Sequence, residues 1–166
     1  RYKINFDKYG IVLLHPIVTT YKKKENKYNS EILVNAITKS KFNYVVIHPN
    51  NDTGSNTILK SYSKLKNKKN IKLFPSLRFE YFLTLLKNSN FIIGNSSAGV
   101  REAPYYGTPT INLGNRQHKR SSYKNIFIPR NEDYLFSSPG YFRDLLVVCP
   151  SVTKCSYINF KYFFRA

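Results

Sequence analysis

Residues 91–99 read Phe-Ile-Ile-Gly-Asn-Ser-Ser-Ala-Gly, an apolar run that ends in a glycine and a short polar loop. The run over 91–93 predicts a buried β-strand. The residues that follow predict a short helix, which stops at Gly107 after about Tyr106. Pro104 removes an intrahelical hydrogen bond unless it lies in the first turn. The helix therefore starts late, near Val100, or it kinks at Pro104.

The same alternation of short apolar runs and helical patterns extends in both directions from this stretch. Further strands are predicted at 11–14, 44–47, 71–74, 110–113 and 126–128. Helices are predicted at 30–39, with Ser30 as the N-cap, at 56–65, and around an apolar set that begins with Phe79 and Phe82. Strands that are apolar on both faces and alternate with helices indicate a parallel sheet covered on both sides. Right-handed crossovers then give an α/β, Rossmann-like, doubly wound domain.

Polar motifs follow four of the predicted strands. His15-Pro16, Pro49-Asn50, the loop 94–97 and the segment 114–116 each begin where a strand ends. In an open parallel sheet, ligands bind beyond the carboxyl ends of the strands. The motifs therefore predict a binding site at this edge.

Several side chains at this edge suit a phosphorylated ligand, although each also has an ordinary explanation. Ser96 and Ser97 offer hydroxyl donors next to a predicted helix N-terminus, which favours phosphate but is also typical of a capped turn. Glu102 could accept two hydrogen bonds from a vicinal diol, or it could be a solvated residue on the face of a helix or a partner of the adjacent Arg101.

Arg116 and His15 also allow either a binding role or an ordinary structural explanation. The Arg116 guanidinium suits a diphosphate, yet a surface arginine is common in a basic protein. His15 could bond a phosphate or act as a general acid, yet a histidine at a strand end is more often structural. Neither a P-loop nor a GxGxxG motif is present.

The composition is strongly basic, with a net charge of +18 from 27 Lys+Arg and 9 Asp+Glu. A polyanion partner would explain this charge. Codon bias in an AT-rich genome, which favours Lys, Asn, Ile, Tyr and Phe, is the simpler explanation of the charge. Cys149 and Cys155 match no common zinc spacing, and the histidines form no metal-ligand cluster, so no metal is expected. No apolar run approaches the roughly 20 residues of a membrane span, which favours a soluble, cytoplasmic protein.

Taken together, residues 91–102 and 107–117 resemble the hydrolysing UDP-N-acetylglucosamine 2-epimerases. Residues 15–20 and 49–55 fit the same family in the same order. The resemblance covers roughly residues 1–129 and implies one half of a GT-B-like fold, namely the C-terminal domain that holds UDP. The tail, residues 130–166, diverges from the family.

The resemblance also implies roles for individual residues. It places the diphosphate at Ser96 and Ser97, the ribose at Glu102 and the phosphates near Arg116. His15 would approach the phosphate and sugar and help UDP leave. By the same resemblance, the nucleotide pocket would be lined by Asn50, and the uracil would lie near Phe82.

The implied reaction eliminates UDP from UDP-GlcNAc and then adds water to give ManNAc, without a metal or organic cofactor. The carboxylates that remove the C2 proton belong largely to an N-terminal domain. The chain opens on Arg1 rather than Met, and its tail is unrelated to the family, so we expect a truncated or frameshifted product that is inactive alone. Relatives often self-associate, so a homo-oligomer is possible.

Two other functions remain open from the sequence. A GT-B glycosyltransferase domain would grip a diphosphate and ribose in the same way. A non-catalytic nucleic-acid-binding module would need basic and aromatic residues gathered on one face. The dispersed lysines argue against this module, and the segment 114–117 argues for the epimerase.

Overall fold

The computed structural model of the protein describes residues 2–18, 23–40, 42–117, 120 and 123–127. The strands are β1 (Gly10–Leu13), β2 (Tyr44–Ile47), β3 (Ile71–Phe74), β4 (Phe91–Gly94), β5 (Thr110–Asn112) and β6 (Ile126–Phe127). The α-helices are α1 (Lys23–Lys39), α2 (Ser55–Tyr62), α3 (Phe79–Asn88) and α4 (Glu102–Tyr105). Two 3₁₀ turns, Ser63–Leu65 and Ser97–Gly99, extend α2 and precede α4. Thr19, Thr20, Tyr21, both cysteines and the divergent tail lie outside the described residues.

The six strands form one parallel sheet in the order β3-β2-β1-β4-β5-β6. All residues of β1, β2 and β4 are buried, which explains their uninterrupted apolar sequence. The chain reverses its direction of winding between β1 and β4, which are neighbours in the sheet. This reversal leaves a crevice at the carboxyl ends of the two strands. The Rossmann-like architecture predicted from the sequence is confirmed.

Helices cover both faces of the sheet. One apolar layer joins α1 and α2 to the sheet through Leu33, Ile37, Ile58 and Tyr62. The opposite layer joins α3 and α4 to it through Phe82, Leu86 and Ala103. No helix among the described residues has both the length and the apolarity that crossing a bilayer requires.

Asparagine side chains tie neighbouring strands together at the amino edge of the sheet. An asparagine directly precedes each of β2, β3, β4 and β6. The bonds run from Asn43 Nδ2 to the Lys8 carbonyl (2.9 Å), from Asn70 Nδ2 to the Phe42 carbonyl (2.7 Å), from the Tyr9 N–H to Asn90 Oδ1 (3.0 Å), and from Asn125 Nδ2 to the Thr108 carbonyl (2.9 Å). Each bond satisfies a backbone group that lies beyond the end of the ladder. Part of the asparagine enrichment therefore has a structural use.

One local prediction, the start of the first helix, was wrong. Helix α1 begins at Lys23, so Ser30 is an interior residue and not the N-cap. Its buried hydroxyl bonds the Lys27 carbonyl (2.9 Å) and the Ser61 hydroxyl on α2 (2.8 Å), which allows a polar side chain to lie between two packed helices.

The short helix expected after β4 is present as α4, and a separate 3₁₀ turn comes before it. Because α4 begins at Glu102, Pro104 falls in its first turn, where the missing N–H costs no hydrogen bond. Of the two expected outcomes for Pro104, the late start is the one observed.

Candidate functional site

The loops that follow β1, β2, β4 and β5 meet at the carboxyl edge of the sheet. Hydrogen bonds join residues that are far apart in the sequence: His15 to Asn95, Asn50 to His15, and Arg116 to Asn95. The structure thus brings His15, Asn50 and Arg116 together, and Ser96 and Ser97 continue the same loop. This is the edge that the sequence predicted.

Asn95 is the residue to which the others are bonded. It is only 2% exposed, and its amide clamps one residue of the neighbouring loop from both sides. Asn95 Oδ1 accepts from the His15 N–H (2.7 Å), and Nδ2 donates to the His15 carbonyl (2.8 Å). The Asn95 carbonyl accepts from Arg116 Nη1 (3.3 Å) and Gln117 Nε2 (3.0 Å). One buried residue therefore sets the positions of His15 and Arg116.

Gly94 allows β4 to turn sharply into this loop. Its φ is +145°, and a Cβ built on it would lie 2.0 Å from the Leu13 carbonyl oxygen. Only glycine fits both the backbone conformation and the space. The close approach of β4 to β1 at this point brings Asn95 within reach of His15.

His15 is held as a neutral imidazole with a defined tautomer. The Asn50 backbone N–H donates to His15 Nδ1 (3.2 Å), so this nitrogen carries no proton and the neutral ring carries it on Nε2. Burial, with a smaller effect from the Arg116 charge, lowers the pKa of His15 below its usual 6.5, against the opposing effects of the Asn50 side chain and the Asp52 charge. At neutral pH the ring therefore offers an N–H donor.

Arg116 is paired on one side and open on the other. Its Nη2 lies 4.0 Å from Asp52 Oδ2, and the two side chains are 30% and 41% exposed. The Asn50 side-chain amide also donates to this Asp52 oxygen. A guanidinium has five N–H donors, so these contacts leave donors for an anion at the edge of the sheet.

The two serines of the loop differ in their burial and in the hydrogen bonds of their hydroxyls. Ser96 is buried, and its hydroxyl accepts from the Ala98 N–H (3.3 Å) at the start of the 3₁₀ turn. Ser97 is half-buried, and its hydroxyl bonds no other residue that the structure describes. Since a three-residue turn follows the loop, the expected help from a long helix dipole is missing. Anion binding here would depend on the hydroxyls and on Arg116.

Glu102, the first residue of α4, carries an unsatisfied oxygen. Its Oε2 is shielded from water and has no hydrogen-bond partner in the described part of the chain. Neither ordinary explanation holds for this oxygen, because it is not solvated and it does not pair with the exposed Arg101. A buried carboxylate oxygen without a donor is unfavourable unless a ligand supplies one.

The seventh predicted residue, Phe82, lies apart from the hydrogen-bonded network. It is 8% exposed and packs in the apolar layer with α3 and α4, where its ring stacks on that of the more exposed Phe79 (centroids 6.5 Å apart). Among the described residues, no three His, Cys, Asp or Glu side chains gather as metal ligands would.

Sequence reasoning assigned no individual role to three residues of the network: Asn95, Gln117 and Asp52. All three stand inside the motifs that marked the site. Neutral amides give no signal of chemistry by themselves, however, and the contact between Asp52 and Arg116 depends on how two loops meet.

Comparisons with known proteins point to one family. Residues 1–138 match the family model described as UDP-N-acetylglucosamine 2-epimerase. The chain is 46% identical to the UDP-N-acetylglucosamine 2-epimerase of Neisseria meningitidis over 125 residues. The aligned segment covers 75% of this chain and 32% of the relative. It is 32% identical over 119 residues to the GDP/UDP-N,N'-diacetylbacillosamine 2-epimerase (hydrolyzing) of Campylobacter jejuni. This second alignment covers 70% of this chain and 30% of the relative.

The fold also recurs in a solved structure, that of UDP-GlcNAc 2-epimerase from Methanocaldococcus jannaschii. It has a TM-score of 0.62 at 19% identity and covers 93% of this chain and 41% of that one. A second structure of the Methanocaldococcus jannaschii enzyme, in complex with UDP-GlcNAc and UDP, has a TM-score of 0.57 at 18% identity. It covers 89% of this chain and 39% of that one. The chain spans about a third of the length of the curated relatives it matches. Its sequence shows that it belongs to the UDP-N-acetylglucosamine 2-epimerase family.

Proposed function

We propose that the chain is the UDP-holding half of a hydrolysing UDP-N-acetylglucosamine 2-epimerase. The observation that carries the proposal is the hydrogen-bonded meeting of anion donors at the switch point of the sheet, beside a loop that leads into α4 and its unsatisfied carboxylate. The donors are Arg116, Ser97 and the His15 Nε2–H, and the carboxylate is Glu102. A nucleoside diphosphate supplies what both require, namely negative charge and a vicinal diol.

The diphosphate would bind along the loop after β4. The Ser97 hydroxyl is free to donate, and Ser96 lies beside it. Arg116 would turn its open donors toward the phosphate oxygens, and charge-assisted bonds of this kind are about twice as strong as neutral ones. Asn50, which is exposed at the edge of the same pocket, would line the nucleotide.

The ribose would bind at Glu102. An ionised carboxylate accepts one hydrogen bond on each oxygen, which matches the spacing of the 2′- and 3′-hydroxyls. This contact would satisfy Oε2, the atom that lacks a donor in the described structure. The uracil would lie on the α3 side, where the edge of Phe82 is the candidate contact.

The neutral His15 ring suits the departure of UDP. The reaction removes the proton at C2 of the sugar and breaks the C1–O bond, so that UDP leaves with the bonding electrons and a glucal remains. A donor on Nε2 would stabilise the negative charge that develops on the departing phosphate. Water then adds across the double bond to give ManNAc. The groups that move the C2 proton would come from the remaining part of the full-length enzyme.

A ligand series measured by calorimetry tests the proposal. UDP should bind more tightly than UMP by roughly tenfold, because the second phosphate adds charge-assisted bonds, and UMP more tightly than uridine. Equal affinities for all three would contradict a diphosphate site. Incubation with UDP-GlcNAc, followed by phosphorus NMR, should show no turnover by the chain alone. The full-length enzyme should release UDP, whereas accumulation of UDP-ManNAc would contradict the hydrolysing assignment.

A further inference from the structure

The short segment that carries His15 is held by two asparagine side chains, of which only one belongs to the site described above. Asn95 bonds the N–H and the carbonyl of His15. Two residues further on, Asn26 makes the same pair of bonds to Ile17. Asn26 Oδ1 accepts from the Ile17 N–H (2.8 Å), and Nδ2 donates to the Ile17 carbonyl (3.0 Å).

These bonds replace a missing strand partner. Residue 14 is already past the end of β1, so the backbone of 15–17 has no ladder on either side. Each amide side chain presents a donor and an acceptor, as a neighbouring strand would. Pro16 has no N–H, so the two clamps engage both backbone donors of the segment. The segment is therefore fixed in an extended form at both ends.

Asn26 also contacts the loop that holds the imidazole. It is 6% exposed and lies near the start of α1, nine residues after Ile17. A Cβ built on Gly54 would lie 3.3 Å from Asn26 Nδ2 and 3.2 Å from the Pro16 Cβ. The loop after β2, which donates the Asn50 N–H to His15, thus packs directly on the clamp.

We infer that Asn26 is a positioning residue for His15, one that fixes the imidazole and its tautomer through Ile17 and Pro16. The inference rests on the proposed function, since it assigns His15 a task at a phosphate. Without the Asn26 amide, the segment loses two bonds at one end and the imidazole rotates away from the Asn50 N–H. His15 would then show a mixture of tautomers and a weaker contact with the diphosphate.

The test compares Asn26→Ala and Asn26→Gln with Asn70→Ala as the matched control. Asn70 also donates a side-chain bond to a backbone carbonyl, but at the opposite edge of the sheet (2.7 Å, Phe42). Asn26→Gln keeps the amide but adds a methylene, so it folds readily while misplacing the two bonds. Three properties of each protein are measured: the ¹⁵N NMR signals of the His15 ring, the affinity for UDP, and the stability in urea. The His15 signals are assigned by their absence from the spectrum of His15→Gln.

Both Asn26 variants should lose the single Nε2–H signature of His15, and Asn26→Ala should bind UDP on the order of tenfold more weakly. Asn70→Ala should lower stability while leaving the His15 signals and UDP affinity unchanged. Asn26 variants with native ring signals and native affinity would overturn the inference. If the native chain binds no UDP, the proposed function fails, but the ring signals of the unliganded protein still decide whether Asn26 positions His15.

Discussion

Glu102→Gln should separate ligand binding from stability. In the unliganded protein Oε2 accepts no hydrogen bond from the described residues and is shielded from water, although Glu102 as a whole is partly exposed, so the substitution changes an unsatisfied oxygen without breaking a described hydrogen bond. We expect the free energy of unfolding in urea to stay within about 0.5 kcal/mol of the native value or to rise. Most substitutions at buried polar positions lower stability, which makes this outcome distinctive.

The same substitution should weaken UDP binding substantially. A glutamine retains one acceptor oxygen and loses one charge-assisted bond to the ribose, which is worth about 2 kcal/mol or roughly 30-fold in affinity. Calorimetric titration with UDP and 2′-deoxy-UDP completes a double cycle. The native chain should prefer UDP by about tenfold, and the variant should bind both ligands almost equally.

The matched control is Glu80→Gln, on the first turn of α3, because the Glu80 side chain is 74% exposed. It should change neither stability nor affinity. If Glu102→Gln instead binds UDP within twofold of the native chain, Glu102 does not hold the ribose. If it unfolds far more easily, the carboxylate has a structural partner and the reasoning fails.

Three further predictions concern the loop after β4 and the imidazole. Ser97→Ala should leave urea stability unchanged and weaken UDP binding by about fivefold, whereas Ser96→Ala, which removes a cap, should lower both. Gly94→Ala should lower the free energy of unfolding by about 3 kcal/mol or more and abolish UDP binding. Gly107 has a φ of +66°, but a Cβ built on it meets nothing within 4 Å, so Gly107→Ala should lower the free energy of unfolding by only about 1 kcal/mol and leave UDP binding intact. Folding lowers the pKa of His15, so the unfolded chain binds the His15 proton first as the pH falls. The stability that the neutral His15 contributes should therefore be fully present above about pH 6.5 and should decrease as the pH falls below this value toward the pKa of the folded protein. His15→Gln should flatten this part of the pH–stability curve, and an unchanged curve would contradict the assignment.

The parts of the fold that sequence reasoning predicted share a simple cause. Strands β2 and β3 begin and end at the residues predicted, because each is a short, mostly apolar segment with an asparagine before it and a proline shortly after it. The location of the site followed from the same alternation, since parallel strands bring all their carboxyl ends to one edge.

The parts that were missed depend on contacts between distant residues. Helix α1 starts seven residues before the predicted N-cap because its first two turns are polar and show no apolar period. The Asn26 and Asn95 clamps bond backbone groups, and backbone bonding leaves no pattern in the sequence. That Glu102 lacks a partner likewise depends on how α4 packs, although its motif marked it as a candidate.

The central claim, that UDP binds at the switch point between β1 and β4, is tested most directly by an NMR titration of the ¹⁵N-labelled chain with UDP. The account predicts saturable shifts that are largest at Asn95, Ser97, Glu102 and Arg116, with the amino-edge residue Asn70 unmoved. Saturable shifts centred on the amino edge or on the exposed lysines after α2, or no saturable shifts in a folded chain, would contradict it.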